Sequence, residues 1–289
     1  MPQAKIAVIG GSGLYDIEGM KDVEEVDINT PFGRPSDKLV VGKLEGVGVA
    51  FLPRHGRGHR ILPTEVPYRA NIYALKSIGV ERIIGINSVG SLKEDFQPND
   101  LLIPDQLIDR TRQRASTFFG EGIVAHIAFG EPFCPSLSQL VYQSARDAGA
   151  TAHQGGTYVV MEGPAFSTKA ESMLYRFWGA DVIGMTALPE AKLAREAEIC
   201  YAVVACVTDY DCWRHGHDAV TAEMIIGRLR QNIDTARQII RLAVGRVPSK
   251  RDCDCGTALS TALITAPNVM PEAQKKKLDL LIGKYLRKG

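Results

Sequence analysis

The run at residues 199–207, Ile-Cys-Tyr-Ala-Val-Val-Ala-Cys-Val, constrains the fold more than any other stretch. An amphipathic helix or a half-solvated strand interleaves polar positions, whereas a strand buried on both faces does not. The run therefore predicts a central strand of a parallel sheet with helices over both faces. It stops abruptly at Thr208-Asp209-Tyr210-Asp211. Residues two apart in extended chain point to the same side. That places Asp209 and Asp211 together at the carboxyl end of a buried strand, where open α/β sheets bind their ligands. Capping of the following helix is the competing role, since Asp is a common cap.

Strand and helix signals alternate along the rest of the chain. Short apolar runs at Lys5–Ile9, Leu39–Val41, Val47–Leu52, Arg82–Ile86, Thr157–Met161 and Asp181–Met185 read as strands, and Leu101–Ile108 is another apolar stretch. Helical spacing covers Glu65–Ile78, Leu137–Ala148, Ser167–Trp178, Pro189–Ala197 and Ala219–Val244, with Gly79 and Gly149 as stop signals. Thr111–Pro135, rich in Gly, Pro and Phe, reads as a long functional loop. The pattern predicts an α/β fold: a single domain with a central mixed, largely parallel twisted sheet flanked by helices. Its expected span is 1–246. Residues 247–289 form a C-terminal extension, with Val247–Thr257 as a linker and one or two helices after it.

Composition narrows the functional classes. The 289 residues carry a formal net charge of +1, with 45% hydrophobic and 23% charged residues. That is enough apolar material for a large core, and nucleic acid or a membrane surface is not the expected partner. No apolar run reaches the roughly 18 residues of a membrane span. The start of the chain lacks a basic-then-apolar leader, so the expected location is cytoplasmic. Six cysteines, at 134, 200, 206, 212, 253 and 255, are not at zinc-ribbon spacings. Buried reduced thiols are the first reading, with Cys200 and Cys206 as small hydrophobes in a strand. The even count and the polar Cys253-Asp-Cys255 turn leave a disulfide open.

Several polar turns follow the predicted strands. Gly10-Gly-Ser-Gly13 suits a backbone anion cradle, with Ser12 adding a hydroxyl. It lacks the third glycine of a dinucleotide fingerprint, and a tight structural turn remains an alternative. Arg54-His-Gly-Arg-Gly-His-Arg60 concentrates three arginines and two histidines, and the rigid fork of Arg suits phosphate. A solvated basic loop is the plainer role. Asn87-Ser-Val-Gly90 and Thr186 bring further polar groups to the same sheet edge. Phe166, in Met161-Glu-Gly-Pro-Ala-Phe-Ser167, could stack on a flat ring or pack in the core. Met185 could pack on a sugar face or in the interior.

Taken together, the segments GGSGL (10–14), TPFGRPSD (30–37), PRHGRGH (53–59), NSVGSL (87–92), DQLIDRT (105–111), EPFCP (131–135), EGPAFSTKAE (162–171), WGADVIGMTALPEAKLAREA (178–197) and TDYDCW (208–213) resemble the trimeric purine nucleoside phosphorylase family. The resemblance covers about residues 5–245. It implies phosphate bound by Ser12, Arg54, His55, Asn87, Ser88 and Thr186. It implies Met185 against the ribose, Phe166 and Ser167 beside the base, and Asp209 and Asp211 on the purine edge. His126 is similar to the residue that reaches a neighbour's 5′-substituent pocket in a homotrimer. Ala222, Ile225 and Ile226 match positions lining a methylthio pocket. Ser12 stands where many relatives have Thr, and Asn87-Ser88 where mammalian-type relatives have Thr-Ala. The segment after about residue 246 has no counterpart in the resemblance.

The chemistry of the residues agrees with that implication. Phosphorolysis needs phosphate held under C1′ and a purine whose departing charge is neutralised. Two neighbouring carboxylates resist double ionisation. One can donate to purine N7 as an acid while the other accepts from a 6-amino group. The pair thus favours adenine over 6-oxopurines, with Asp209 assigned to N7 and Asp211 to the amino group. No cofactor beyond the co-substrate phosphate is expected, and no metal, since the two aspartates lack histidine partners at ligand spacing. The expected reaction is phosphate-dependent cleavage of 5′-methylthioadenosine. A broader purine nucleoside phosphorylase acting on adenosine or inosine, and a non-catalytic nucleoside-binding protein, are the alternatives.

Overall fold

In the computed structural model the apolar run forms a ten-residue strand, Cys200–Asp209, with every residue buried. The structure describes residues 2–11, 14, 17–214 and 222–287, with backbone alone at 222–232. In chain order the strands are β1 (Ile6–Gly10), β2 (Lys21–Val26), β3 (Leu39–Leu44), β4 (Val47–Pro53), β5 (Arg82–Ser91), β6 (Leu101–Ile103), β7 (Gln106–Arg110), β8 (Ala152–Gln154), β9 (Thr157–Met161), β10 (Val182–Gly184) and β11 (Cys200–Asp209). The helices are α1 (Tyr68–Ser77), α2 (Pro135–Asp147), α3 (Lys169–Phe177), α4 (Ala187–Glu196), α5 (Ala222–Arg246), α6 (Glu272–Lys277) and α7 (Asp279–Leu286). Among the described residues no helix is long and apolar enough to cross a membrane.

The eleven strands of the described residues belong to one mixed sheet. Its centre is parallel, with β4, β1, β5 and β11 side by side. Antiparallel pairs flank it at β2–β3, β3–β4, β5–β10 and β6–β11. Alternation along β11 divides the core in two. Tyr201, Val203, Ala205 and Val207 face one apolar layer, which holds residues of α1, α4 and α7. Cys200, Ala202, Val204 and Cys206 face the other, which holds residues of α2 and α5.

The structure revises several expected boundaries. The polar segment Asn87–Gly90 is not a turn. It continues β5 to Ser91, because β11 pairs it in parallel register, Ala205 opposite Asn87 and Cys206 opposite Ser88. The charged strand β2 has no apolar period and is exposed, so only its pairing with β3 makes it a strand. Helix α3 starts behind Thr168, whose capping box with Glu171 satisfies both ends of the first turn. Residues 247–257 are not a free linker. Arg82 donates to Pro248 O at 3.0 Å, and Cys255 is buried.

The long segment between β7 and α2 lies against the core through Glu196, at the end of α4. Thr117 Oγ1 and the Phe118 N–H each donate to its carboxylate at 2.7 Å. Burial outweighs both bonds and pushes the carboxyl from an ordinary 4.5 up to about 7. Between those values the native state keeps a proton that the unfolded chain has released. The stabilisation from this group is therefore present at low pH and lost as pH rises to 7. The difference in unfolding free energy between the wild-type chain and Glu196→Gln should fall by on the order of 3 kcal/mol between pH 4.5 and 7.5. Denaturant titrations across that range measure it, and a difference that does not change with pH contradicts the assignment.

Candidate active site

Strands β1, β4, β5 and β11 run parallel, so their carboxyl ends share one edge of the sheet. Arg54 follows β4 there and is only 3% exposed. Its Nε and Nη2 donate to Glu190 Oε1 and Oε2 at 2.5 and 3.0 Å. Nη1 donates to Ile86 O at 3.0 Å, and Nη2 also reaches Ile9 O and Asn87 Oδ1 at 3.2 Å. Tyr201 donates to Glu190 Oε2 at 2.8 Å. Burial opposes the charge on Arg54, but Glu190 outweighs it and holds the guanidinium above its ordinary pKa.

Arg54–Arg60 is therefore not an open cation cluster. Carboxylates distant in sequence balance its charges: Glu190 on Arg54, Glu25 on Arg57 at 2.6 Å, and Asp37 on Arg60 at 3.9 Å. His55 is half-buried, stacked on His59 with centroids 4.4 Å apart. Burial first, and then the Arg54 charge, push its pKa down to about 4, so its imidazole is neutral at pH 7. Its Nδ1 lies 2.8 Å from Ile61 O. A carbonyl only accepts, so the proton sits on Nδ1 and Nε2 is left as an acceptor.

Asn87 bridges Arg54 to the start of α4. It is buried, accepts from Arg54, and donates to Thr186 Oγ1 at 2.7 Å. Thr186 stands at the helix N-cap, yet its hydroxyl makes no cap bond and turns to Asn87 instead. Ser88, the next residue of β5, leaves on the opposite face and is half-buried. The glycines at this edge admit two tyrosine hydroxyls. A Cβ on Gly85 would lie 2.8 Å from Tyr201 OH, and one on Gly184 would lie 2.3 Å from Tyr158 OH.

The second half of the site lies at the end of β11. Asp209 and Asp211 are both buried. They do not sit together by strand alternation, because the chain turns at Asp211, whose φ is 50°. They meet because the Asp211 N–H donates to Asp209 Oδ1 at 2.7 Å. Thr208 Oγ1 donates to Asp209 Oδ2 at 2.7 Å. Ser167 Oγ lies 2.7 Å from both oxygens of Asp211 and donates to that carboxylate. Gly90 makes room for the pair, since a Cβ there would stand 3.0 Å from Asp209 Oδ1 and 3.2 Å from Asp211 Cβ.

Phe166 adjoins Ser167 and is 41% exposed. Met185 packs on Gly163, where a Cβ would come within 2.6 Å of its sulfur. Arg114, whose side chain is fully buried, ties this region together. It donates to Glu162 Oε1 at 3.1 Å, to Tyr68 OH at 3.2 Å, and to the carbonyls of Met185 and Leu188 at 2.5 and 2.7 Å. His126 is exposed, and its N–H donates to Ala262 O at 2.9 Å; it takes no part in this network. Ser12 and the side chains of Ala222, Ile225 and Ile226 lie outside the described residues.

Glu190, Tyr201, Tyr158 and Arg114 escape a reading of the sequence alone. Glu190 has one faint signal, a lone acid in the apolar run Ala187-Leu-Pro-Glu-Ala191. Glycines inside the strands at 85, 90 and 184 give another, since such glycines mark close approaches.

Residues 5–244 match the sequence profile described as the phosphorylase superfamily. An S-methyl-5′-thioadenosine phosphorylase of Koribacter versatilis is 60% identical over 283 residues, covering 98% of this chain and 97% of that one. One of the same name from Geobacter sulfurreducens is 58% identical over 282 residues, covering 97% and 99%. Among solved structures, a methylthioadenosine phosphorylase from an antarctic soil metagenomic library is 49% identical with a TM-score of 0.93, covering 97% and 99%. The methylthioadenosine phosphorylase from Schistosoma mansoni, in complex with adenine, is 34% identical with a TM-score of 0.83, covering 97% and 98%.

The Arg54–Glu190 pair sets a stability test. Glu190→Gln keeps the shape but removes the countercharge, leaving a buried guanidinium uncompensated. It should destabilise the chain by about 3–5 kcal/mol. Urea unfolding measures it, and a loss below about 1 kcal/mol, the scale of an exposed pair, would show that the pair is not the anchor of this edge.

Proposed function

Because the chain belongs to the phosphorylase superfamily, and within it to the S-methyl-5′-thioadenosine phosphorylases, we propose that it cleaves S-methyl-5′-thioadenosine with phosphate. The products are adenine and 5-methylthioribose 1-phosphate. The observation that carries this reading is the buried Asp209–Asp211 pair, in a chain that matches enzymes of that name along nearly its whole length.

Phosphate occupies the edge formed by Arg54, His55, Asn87 and Thr186, with Ser12 completing it, whereas the Ser88 side chain points to the opposite face. The five contacts of Arg54 leave one Nη1 hydrogen for a further acceptor. Its field acts on the anion from a low-dielectric position, where a charge counts for more than it does in water. His55 accepts through Nε2, which suits the protonated oxygen of hydrogen phosphate. Met185 packs on the ribose and Phe166 stacks on the base.

As the glycosidic bond breaks, negative charge builds on the purine. Asp209 donates its proton toward N7, and Asp211, held by Ser167, accepts from the 6-amino group. A 6-oxopurine presents an acceptor where the amino group should be, which leaves Asp211 facing an oxygen. Ala222, Ile225 and Ile226 surround the methylthio group, where burial of a thioether favours binding by about 1 kcal/mol or more. The reaction needs no cofactor besides phosphate.

The reading extends to a cytoplasmic homotrimer in which His126 of one chain reaches a neighbour's 5′ pocket. Exposed apolar side chains on and after α3, Met173, Leu174, Phe177 and Trp178, support such a contact. Residues 247–289 are an extension to a catalytic unit of 1–246.

The Asp209→Asn, Asp211→Asn double variant should lose roughly 100-fold or more of kcat/KM on S-methyl-5′-thioadenosine, the range expected of a general acid. The wild-type chain should turn over inosine far more slowly than S-methyl-5′-thioadenosine at fixed phosphate. Wild-type kinetics in the double variant, or equal turnover of inosine, would refute the base-reading role. Native mass spectrometry tests the trimer, and a monomer at micromolar concentration contradicts it.

A further inference from the structure

Four cysteines that phosphorolysis does not use meet at one point. Cys134 is the N-cap of α2, Cys200 opens β11, and Cys253 and Cys255 lie at the short 3-10 turn Asp254–Thr257. Their four Sγ atoms all lie within 4.8 Å of one another. Cys253 Sγ is 3.3 Å from Cys200 Sγ and 3.6 Å from Cys134 Sγ. Three of the four residues are buried, and Cys253 is half-buried. We propose that these cysteines hold one zinc ion, which bolts the C-terminal extension to the catalytic core.

The spacing selects the occupant. In a tetrahedral tetrathiolate site with Zn–S near 2.3 Å, the sulfurs are about 3.8 Å apart. The separations of 3.3 and 3.6 Å fall near that value and well beyond the 2.05 Å or so of a bonded pair. Each sulfur also faces three others, whereas a disulfide needs a single partner. A cluster of two or four irons puts its thiolates on different metal atoms and spreads them further. Calcium and magnesium take oxygen donors, and the cluster contains none. Soft thiolates in tetrahedral array are the donor set of structural zinc.

The surroundings hold the ligands in place. The Cys134 N–H donates to Tyr201 O at 2.9 Å, and the Cys200 N–H to Glu81 O at 3.0 Å. Both core ligands are thus fixed by backbone bonds independent of any metal. Four thiolates around Zn²⁺ carry a net charge of −2, with the four thiol protons released to solvent. The N-terminus of α2 offsets that charge at Cys134. Arg251 adds a guanidinium beside Gly256, where a Cβ would lie 2.5 Å from Nη2, while Nη1 donates to Glu198 O at 2.7 Å. Sequence spacing hid the site, because its ligands are spread from residue 134 to residue 255. Cys200, read from the sequence as a strand hydrophobe, becomes a ligand, whereas Cys206 remains a buried hydrophobe.

The test uses the full chain, reduced, incubated with zinc sulfate, desalted and analysed by mass spectrometry for bound metal. One zinc per chain is expected, with a lower Tm after a chelator removes it. Cobalt in its place should give the intense sulfur-to-metal absorption of a tetrathiolate. Cys253→Ser with Cys255→Ser should weaken zinc binding by roughly 100-fold or more, beyond the cost of losing an outer-shell partner. Cys206→Ala, outside the cluster, should keep the metal. If the double variant does not fold, the single variant Cys253→Ser at the half-buried position provides the comparison. No zinc retained by the folded, reduced wild-type chain would overturn the proposal. So would equal retention by the folded ligand variants, or two disulfides among these four residues after expression in a reducing cytosol.

Discussion

A buried ion pair holds the working edge of the sheet together. Arg54 and Glu190 lie 136 residues apart in sequence, and their side chains are 3% and 1% exposed. Taking both charges out of water costs several kcal/mol per ion, and only close geometry with further bonds repays it. Here the carboxylate meets Arg54 twice and accepts from Tyr201, while the guanidinium also binds the carbonyls that end β1 and reach into β5. The ends of β1 and β4, the polar part of β5 and the first turn of α4 are thereby fixed relative to one another. Asn87 and Thr186 take their positions from that frame. Arg54 thus positions the edge.

The Asp209–Asp211 end of the site depends on a different device. Asp209 and Asp211 are set by a left-handed turn and a backbone N–H, and Gly90 on the adjoining strand leaves the space they fill. Arg114 reaches in from the long segment between β7 and α2 and binds the backbone after β9 and β10. Glu196 holds the same segment at its next turn. One segment thus ties the strand ends that carry Met185 and Phe166, while also displaying His126 at the surface. In the proposed trimer, a single stretch of chain would support its own site and complete a neighbour's.

The sequence made the sheet with helices on both faces legible, together with the strand ends that form the candidate site, because apolar runs and their polar terminations follow directly from burial on both faces of a sheet. The Asp209–Asp211 pair was visible in this way, although its geometry arises from a turn rather than from alternation. The Arg54 segment was visible as concentrated charge suited to phosphate, but its counterions on Glu25, Asp37 and Glu190 were not. Their nearness is a property of the fold, with no trace in local pattern. Strand β2 had no apolar period to betray it. The four-cysteine cluster was hidden for a related reason, its members coming from a helix cap, a strand start and a C-terminal turn.

In the proposed reaction phosphate is the nucleophile at the edge that Arg54 and Glu190 organise, and adenine is the leaving group. Adenine release from S-methyl-5′-thioadenosine, followed with and without inorganic phosphate and with the sugar product identified, tests it most directly. Release is expected only with phosphate, yielding 5-methylthioribose 1-phosphate in equal amount. Equal rates of release without phosphate, with free methylthioribose as the product, would contradict it.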